Sequence, residues 1–145
     1  MVDDNGAGWE KAYPFAAHIG MELTEWRADF ARLELPLARH TQNRHGAPHG
    51  GIHATLLDTC MGYAGCWTGD PDNVQLCLTL NLSVNYLSRP EGTRFIAEGR
   101  RTGGGRRTFF AEGTVRDETG VIVATGTGVF RYRGYANAAR NPLSY

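Results

Sequence analysis

Asp58 is a single charged residue within a long apolar stretch of the sequence. Between Arg44 and Asp70 the chain contains no other Asp, Glu, Lys or Arg. The segment from Gly50 to Trp67 is apolar on nearly all sides of a helical projection, which predicts a long helix that is buried on most sides. Because burying a lone carboxylate costs free energy, we expect Asp58 to have a chemical role, either as a nucleophile or as a general base toward water.

The start of this predicted helix offers a complementary group. It follows a loop rich in Gly, Pro and His, N-R-H-G-A-P-H-G-G, at residues 43–51. The first N–H groups of a helix have no intrahelical partner and lie at the positive end of the helix dipole. Gly50 and Gly51 leave room for a ligand to reach this backbone. Such an N–H can stabilise the negative charge that a carbonyl gains when it is attacked, an effect of ~3–4 kcal/mol per donor.

The composition limits the class of protein. The chain has 145 residues, of which 41% are hydrophobic and 21% charged, as in a soluble single-domain protein. Its formal net charge of +0 gives no global field toward nucleic acid or an anionic membrane. No apolar run approaches the ~18–20 residues of a membrane span, and the acidic N-terminus does not resemble a signal peptide. We therefore expect a cytoplasmic protein without a nucleic-acid or membrane partner.

The three cysteines are odd in number and have no CxxC spacing. They are Cys60, Cys66 and Cys77. This pattern favours reduced thiols over a disulfide framework.

The elements that must position Asp58 can be predicted from periodicity and turn residues. A short helix is predicted near residues 9–17, the long helix at 50–67, and strands at 19–26, 28–35, 75–87, 93–101, 107–116 and 121–132. Hairpin turns are predicted at residues 103–105 and 117–120. We predict one α+β domain over residues 1–145, in which a curved antiparallel sheet of about six strands wraps the long helix. Residues 1–8 and 135–145 are predicted to be flexible tails.

The strand at residues 75–87 shows the clearest alternation. Its even positions from 76 to 86 are Leu, Val or Tyr, and its odd positions from 77 to 85 are small or polar. This period of two predicts one continuous apolar face. The opposite face is polar but uncharged, which suits a subunit interface or a ligand channel.

These motifs together resemble the hotdog-fold acyl-CoA thioesterases, of the phenylacetate-pathway (PaaI-type) and acyl-CoA thioesterase 13-like group. The resemblance runs from about Pro14 to Tyr132. It rests on Asn43 seven residues before Gly50, on H-G-G at 49–51, and on Asp58 eight residues after Gly50. The runs L-T-L-N-L-S-V-N-Y-L-S-R-P at 78–90 and R-D-E-T-G-V-I-V-A-T-G-T-G-V-F at 116–130 extend it.

The resemblance implies a hotdog fold and hydrolysis of a small aryl- or medium-chain acyl-CoA to the free acid and CoA. Asp58 would be the nucleophile or general base, and the Gly50 N–H would form the oxyanion hole. Asn43 would supply a helper amide, and the Thr79 hydroxyl would position water. His49 is expected to orient the loop. The resemblance also implies a homodimer, and a homotetramer built from dimers. No cofactor or metal is expected, because CoA is part of the substrate.

The spacing within the long helix predicts that the active site is shared between subunits. Asp58 lies eight residues after Gly50, or roughly 12 Å along a helix at ~1.5 Å per residue. One substrate carbonyl cannot contact both groups within one helix. If both act, they come from different subunits, with two sites per dimer. Asn43 would then act with Gly50, and Thr79 with Asp58.

Coenzyme A carries phosphates, for which arginines and backbone N–H groups are suitable partners. We expect a local patch of arginines around the turn at residues 103–105 to bind it. The predicted CoA- and substrate-binding residues are Gly51, Asn81, Ser88, Arg89, Arg101, Gly104 and Arg106.

Other interpretations of the same residues remain open. Asp58 could be a structural carboxylate, Asn43 a turn residue and Thr79 an ordinary strand residue. A metal site at His49 and His53 is disfavoured, because H-G-G-I-H lacks the Glu of H-E-x-x-H. The chain could also be a hotdog-type hydratase or dehydratase that uses these histidines, or an acyl-CoA binding module without catalysis.

Overall fold

The computed structural model describes residues 5–136, so most of the two predicted tails, residues 1–4 and 137–145, lie outside it. The elements are α1 (Pro14–Ile19), β1 (Glu22–Arg27), β2 (Phe30–Pro36), α2 (Gly50–Gly65), β3 (Val74–Tyr86), β4 (Arg94–Gly104), β5 (Thr108–Asp117) and β6 (Ile122–Ala136). The strands form one antiparallel sheet in the order β1-β2-β4-β5-β6-β3, with β1 and β3 at its edges. The predicted α+β fold of about six strands and one long helix is confirmed.

The core lies between α2 and the sheet. α2 contacts all six strands, and its buried side chains pack against large aromatic residues of β4, β5 and β6. The approach is close at Gly99 on β4, where an added Cβ would lie 2.5 Å from the carbonyl carbon of Cys60. The buried residues of α2 are Ile52, His53, Leu56, Leu57, Cys60, Met61 and Ala64.

One side of α2 is not covered by its own sheet. Gly51 is exposed, and Ala54 and Asp58 are half-buried. These positions are spaced by three and four residues and therefore share a helix face. The expectation that α2 is buried on most sides holds for the opposite face only, and Asp58 lies on the open one.

The edge strand β3 carries a β-bulge at Leu80. Thr79 pairs with Phe130, and Asn81 pairs with the preceding residue of β6, Val129. Two steps on β3 therefore oppose one step on β6, which leaves Leu80 as an extra residue.

The bulge exchanges the two faces of β3, so the predicted unbroken apolar face is wrong. Before the bulge, Leu76 and Leu78 are 40% and 48% exposed, while Cys77 packs against the core. After the bulge, the facing is reversed, and Leu82 and Val84 pack against the core. The bulge therefore allows Thr79, on the same side as Cys77, to face α2.

The segment before α1 is ordered in the part that the structure describes. The Asn5 side chain accepts a hydrogen bond from the Ala7 N–H at 3.0 Å and from the Trp26 N–H at 3.0 Å. Trp9 stacks on Trp67 with ring centroids 4.6 Å apart. Residues 5–8, predicted as part of a flexible tail, are thus held in place and lead into a cluster of aromatic residues at the C-terminal end of α2.

Asp117, at the end of β5, is fully buried and fully hydrogen-bonded. Its Oδ2 accepts the N–H groups of Glu91 and Gly92 at 2.7 and 2.9 Å. Its Oδ1 accepts the Thr119 hydroxyl at 2.6 Å and the N–H groups of Thr119 and Val121. The Thr119 hydroxyl and then these backbone donors hold the pKa of Asp117 well below its usual range. This carboxylate ties the β5–β6 turn to the chain before β4.

Candidate active site

The first turn of α2 presents one unused backbone donor. His49 is the N-cap, and its Nδ1 accepts the Gly51 N–H at 2.8 Å. The His49 N–H in turn donates to the Thr41 carbonyl at 2.9 Å. Within residues 5–136, the Gly50 N–H donates to no other group. The Gly50 N–H, predicted to form the oxyanion hole, is therefore available, whereas the N–H of Gly51, a predicted substrate-binding residue, is occupied by His49.

Asn43 closes the loop that leads into α2. Its Oδ1 accepts the N–H groups of His45 and Ala47 at 2.9 and 3.2 Å, and its backbone N–H donates to the Ala47 carbonyl at 2.7 Å. Asn43 therefore has the turn role that the sequence left open. Its amide nitrogen is not used by these bonds, and a helper role toward a ligand stays a prediction.

Tyr86 is a residue of this end that sequence reasoning missed. Its hydroxyl donates to the Gly50 carbonyl at 2.6 Å, and its ring meets His53 edge-on at 5.2 Å between centroids. Tyr86 thereby fixes the orientation of the peptide that follows Gly50. Its place at the end of an alternating strand gave no signal of this contact, which depends on the bulge.

His53 is a buried histidine beneath the first turn of α2. Its Nδ1 lies 3.2 Å from the His49 carbonyl, and its ring packs on Phe95 at 4.9 Å. Burial lowers the pKa of His53 from its ordinary value. Among the described residues, neither His49 nor His53 contacts a carboxylate.

Asp58 and Thr79 are in direct contact. The Thr79 hydroxyl donates to Asp58 Oδ1 at 2.6 Å. Asp58 is half-buried on the open face of α2, and Thr79 is exposed on β3. The pairing expected for these two side chains is therefore observed, while the role of each in catalysis stays a prediction. Asp58 Oδ2 takes part in no hydrogen bond within the described part of the chain.

A cavity of about 220 Å³ lies between α2 and the segment before α1, and Thr59, the residue after Asp58, lines it. The Tyr13 hydroxyl, 3.4 Å from Thr59 Oγ1, lines its mouth, and Tyr63 donates to Glu10 Oε2 at 3.0 Å on its wall. Burial, and to a smaller extent the charge of Asp58, raise the pKa of Tyr13. The lining residues are Ala7, Glu10, Lys11, Ala12, Tyr13, Ala16, Met21, Glu22, Leu23, Leu33, Thr59 and Tyr63.

The expectation that the predicted arginines form one local patch is wrong for a single chain. Arg89 lines a groove of about 410 Å³ together with residues of the 41–48 loop, near the start of α2. Arg101, Gly104 and Arg106 lie at the other end of β4, a strand of 11 residues and hence about 36 Å long. Arg101 approaches Asp29 at 4.0 Å, and its Nε is buried without a partner among the described residues.

Two further predicted CoA contacts are turned away from Asp58 or already engaged. Asn81 lies on the outer side of the bulge, where its Oδ1 accepts the Ser83 hydroxyl at 3.2 Å. The Ser88 hydroxyl donates to the Ile122 carbonyl at 2.8 Å. Within a single chain, neither side chain contacts the Asp58–Thr79 pair.

No helix within residues 5–136 is long and apolar enough to cross a bilayer.

Comparison with known structures identifies this architecture. A Bacillus halodurans protein solved with CoA is 30% identical, with a TM-score of 0.72 over 86% of this chain and 81% of that one. A thioesterase family protein from Silicibacter pomeroyi is 28% identical, with a TM-score of 0.73 over 83% and 89% of the two chains. The Escherichia coli PaaI protein from the phenylacetic acid degradation operon shares the fold at 18% identity, with a TM-score of 0.74 over 86% and 87%.

The match at the level of the family covers more than half of the chain. The model of the thioesterase superfamily matches residues 45–124, from the loop before α2 to the start of β6. This range includes Gly50, Asp58 and Thr79. The predicted hotdog fold and thioester hydrolase class are confirmed, and the chain belongs to the thioesterase superfamily.

Proposed function

We propose that this protein is an acyl-CoA thioesterase in which Asp58 is the catalytic carboxylate. The observation that carries the proposal is the 2.6 Å hydrogen bond from Thr79 to Asp58 on an open face of α2, the same helix whose Gly50 N–H is unused. The Thr79 hydroxyl holds one carboxylate oxygen, which leaves the other free. That oxygen either attacks the thioester carbonyl or takes a proton from the attacking water.

The departing group makes modest demands on the protein. A thiolate is a good leaving group, so the site needs no strong acid to protonate it. The main requirement is stabilisation of the developing oxyanion, for which the Gly50 N–H, at the positive end of α2, is suited. The buried histidine at position 53 is not needed as an acid, which agrees with its lowered pKa.

The two halves of the site would come from two subunits. Gly50 and Asp58 lie on one continuous helix and are roughly 12 Å apart along it. The open face of α2 and the unpaired edge of β3 provide surfaces that a second copy can cover. An antiparallel pair of β3 edges would place the Gly50 of one chain toward the Asp58 of its partner. We propose such a homodimer, while a homotetramer and the cytoplasmic location stay predictions of the sequence.

Coenzyme A is the proposed carrier of the acyl group. The 30% identical Bacillus halodurans protein was solved with CoA, which supports the same carrier here. Arg89 lines a groove near the start of α2. In the proposed dimer, the hairpin that carries Arg101 and Arg106 would come from the partner's opposite end, so the separated arginines could serve one CoA molecule.

The cavity lined by Thr59, the neighbour of Asp58, is the proposed site of the acyl group. Its volume is about 220 Å³, which suits a small aryl or medium-chain acyl group. Alanine, Met21 and the leucines at positions 23 and 33 give the cavity an apolar floor, which agrees with the PaaI-type grouping suggested by the motifs.

The hydratase alternative has less support. Such chemistry needs a histidine paired with a carboxylate at the substrate, and the rings of His49 and His53 contact backbone groups instead. An assay that follows free thiol during incubation with saturated and enoyl acyl-CoA separates the activities. Hydrolysis releases CoA thiol from both substrates, and hydration releases none.

Two variants with separate defects test the shared site. Asp58→Asn removes the carboxylate, and Gly50→Pro removes the N–H. Proline is tolerated at the first position of a helix, and His49 already has φ −63° and ψ 136°, which a residue before proline favours. Each variant alone should lose acyl-CoA hydrolysis. In a mixed dimer, one site regains an intact Asp58 and an intact Gly50.

The expected result is recovery of about a quarter of the wild-type turnover after random mixing, because half of the dimers are mixed and each has one complete site. Gly50→Ala, which keeps the N–H, is the control and should stay active. If Asp58→Asn alone retains near-normal turnover, Asp58 is not the catalytic carboxylate. If both single variants are inactive and the mixture is too, the site is not shared in this way.

A further inference from the structure

We propose that Cys66 and Cys77 form an oxidisable dithiol that closes to a disulfide between the end of α2 and the edge strand β3. This inference is independent of the proposed catalytic reaction. It requires that two thiols from different elements already lie together, that one of them is reactive, and that the third cysteine does not compete.

The sheet and α2 bring the two thiols together. Cys77 lies opposite Tyr132 in the β3–β6 ladder, and the Tyr132 hydroxyl donates to the carbonyl of Gly65 at 2.8 Å. Cys66 follows Gly65 directly and is the C-cap of α2. The Cys77 Sγ also lies 3.5 Å from the position of a Cβ on Gly62. Gly62 and Cys66 are one helical turn apart along α2, and both cysteines pack in the same core cluster.

The two thiols have unequal reactivity. The interaction between the two thiols raises the pKa of Cys66, as does its burial, and lowers the pKa of Cys77. Cys77 is only half-buried, whereas Cys66 is buried. Cys77 is therefore the nucleophile and Cys66 the resolving thiol, the arrangement that favours disulfide formation.

The oxidation balances with a peroxide as the oxidant. The Cys77 thiolate attacks one oxygen of hydrogen peroxide, the O–O bond breaks, and Cys77 becomes a sulfenic acid as the peroxide is reduced to water. The Cys66 sulfur then attacks the Cys77 sulfur, and the S–O bond breaks to release a second water. Two thiols and one hydrogen peroxide thus give one disulfide and two waters. The two sulfur atoms must approach to ~2.05 Å for the bond to form.

Cys60 provides an internal control. It is also on α2, but it is fully buried against β4, and its thiol donates to the Leu57 carbonyl at 3.5 Å. Burial raises the pKa of Cys60 strongly. Cys60 should stay reduced under conditions that oxidise the pair.

The test treats the full-length native protein with hydrogen peroxide, alkylates it under denaturing conditions and maps the peptides by mass spectrometry. We expect the three free thiols to fall to one, Cys60, with a cross-link between Cys66 and Cys77 that a dithiol reductant reverses. Cys60→Ser should leave the cross-link intact. Cys66→Ser should abolish it and leave a Cys77 sulfenic acid that dimedone traps.

Three results would overturn the proposal. All three thiols could remain alkylatable after treatment with peroxide. The cross-link could join Cys60 or two chains instead. Cys77 could be oxidised while Cys66 stays free in the wild-type protein. A variant that fails to fold does not affect the conclusion, because the decisive measurement is made on the natural sequence.

Discussion

Asp58 and Asp117 are two carboxylates of one domain that differ in burial and in the number of hydrogen bonds that they accept. Asp117 is fully buried, and five hydrogen bonds satisfy both of its oxygens. Asp58 is half-buried and accepts one hydrogen bond, from Thr79, within the described residues. A carboxylate whose lone pairs are all engaged holds chain segments together and has none left for a substrate. A carboxylate with one held oxygen and one free oxygen is oriented and still available.

The contrast indicates that the number of acceptor sites left unused, more than burial, distinguishes the proposed catalytic carboxylate from the structural one. The more deeply buried of the two has its charge matched by donors from the turn that it organises. The less buried one lies between a helix and an edge strand, and only Thr79 donates to it among the described residues. Catalysis and stability should therefore divide between these two residues in the same way.

The largest expected effect is on catalysis at Asp58. Asp58→Asn should lower kcat for acyl-CoA hydrolysis by at least about 10³-fold, because the amide can neither attack nor take a proton. Its Tm should change by less than about 3 °C, since only the hydrogen bond from Thr79, at a partly exposed site, is altered. Thiol release and calorimetry on the same sample measure both quantities. A large loss of Tm would make Asp58 a structural residue as well.

Asp117→Asn should give the reverse pattern. The amide nitrogen would face backbone N–H donors, so buried groups lose their acceptor. We expect Tm to fall by more than about 5 °C, while kcat of the remaining folded enzyme stays within about threefold. If the Asp117→Asn protein is as stable as the wild type, Asp117 is not a structural carboxylate in this sense, because its hydrogen bonds then contribute little to stability.

The same residue makes stability depend on pH. The folded pKa of Asp117 lies below its ordinary value, and the unfolded pKa is ~3.9. Its stabilising contribution is therefore fully present above about pH 5 and is lost as pH falls through ~4 toward the folded pKa. Acid unfolding of the wild type and Asp117→Asn should show a difference in Tm that shrinks in this window. A constant difference would contradict the assignment.

Thr79 should have an intermediate effect on activity. Thr79→Val removes the hydroxyl from Asp58 and keeps the shape, so we expect kcat to fall about 10- to 100-fold, from a hydrogen bond of ~1.5–3 kcal/mol to a charged group. Thr79→Ser keeps the hydroxyl and should retain most of the activity. Equal kinetics for the Val and Ser variants would mean that the hydroxyl does not orient Asp58.

The smallest expected effect is at Tyr86. Tyr86→Phe removes the 2.6 Å hydrogen bond to the Gly50 carbonyl and keeps the ring against His53. We expect kcat to fall about 2- to 10-fold, which corresponds to a net ~0.5–1.5 kcal/mol. KM should change less than kcat if the held carbonyl helps to orient the Gly50 N–H on the preceding peptide, and if that N–H binds the oxyanion only in the transition state. A change in KM alone would indicate a contact with the ground-state substrate.

The sequence predicts the central helix well because its signals are local. A loop rich in glycine, a long apolar run and one carboxylate identify α2 and the position of Asp58 on it. The start of α2 at Gly50 agrees with the prediction, and its end at Gly65 is two residues earlier. The Thr79–Asp58 contact was reached through the family resemblance, since the regular alternation of β3 alone places Thr79 in no particular relation to a helix.

Other features depend on contacts between distant segments and leave no local trace. Asp117 lies in D-E-T-G, which reads as an ordinary turn, and its partners Glu91 and Gly92 belong to another loop. The cavity lined by Thr59 requires the segment before α1 to pack against α2, whereas the sequence predicts a flexible tail at residues 1–8 and a short helix near residues 9–17. Arg89 and Arg101 lie at opposite ends of the sheet because most of β4 extends between them. Their short distance along the sequence therefore does not bring them together.

The bulge at Leu80 has a consequence for how the length of this strand can change. The residues on either side of Leu80 already oppose consecutive residues of β6, so β3 can be described as a regular strand with one insertion. Deleting Leu80 would keep every neighbour in its reading frame, with Thr79 inward and Asn81 outward. Deleting Leu78 or Leu82 instead would turn Thr79 outward in the first case and Asn81 inward in the second. Leu80 is therefore a position at which this strand can lose one residue without exchanging inside for outside.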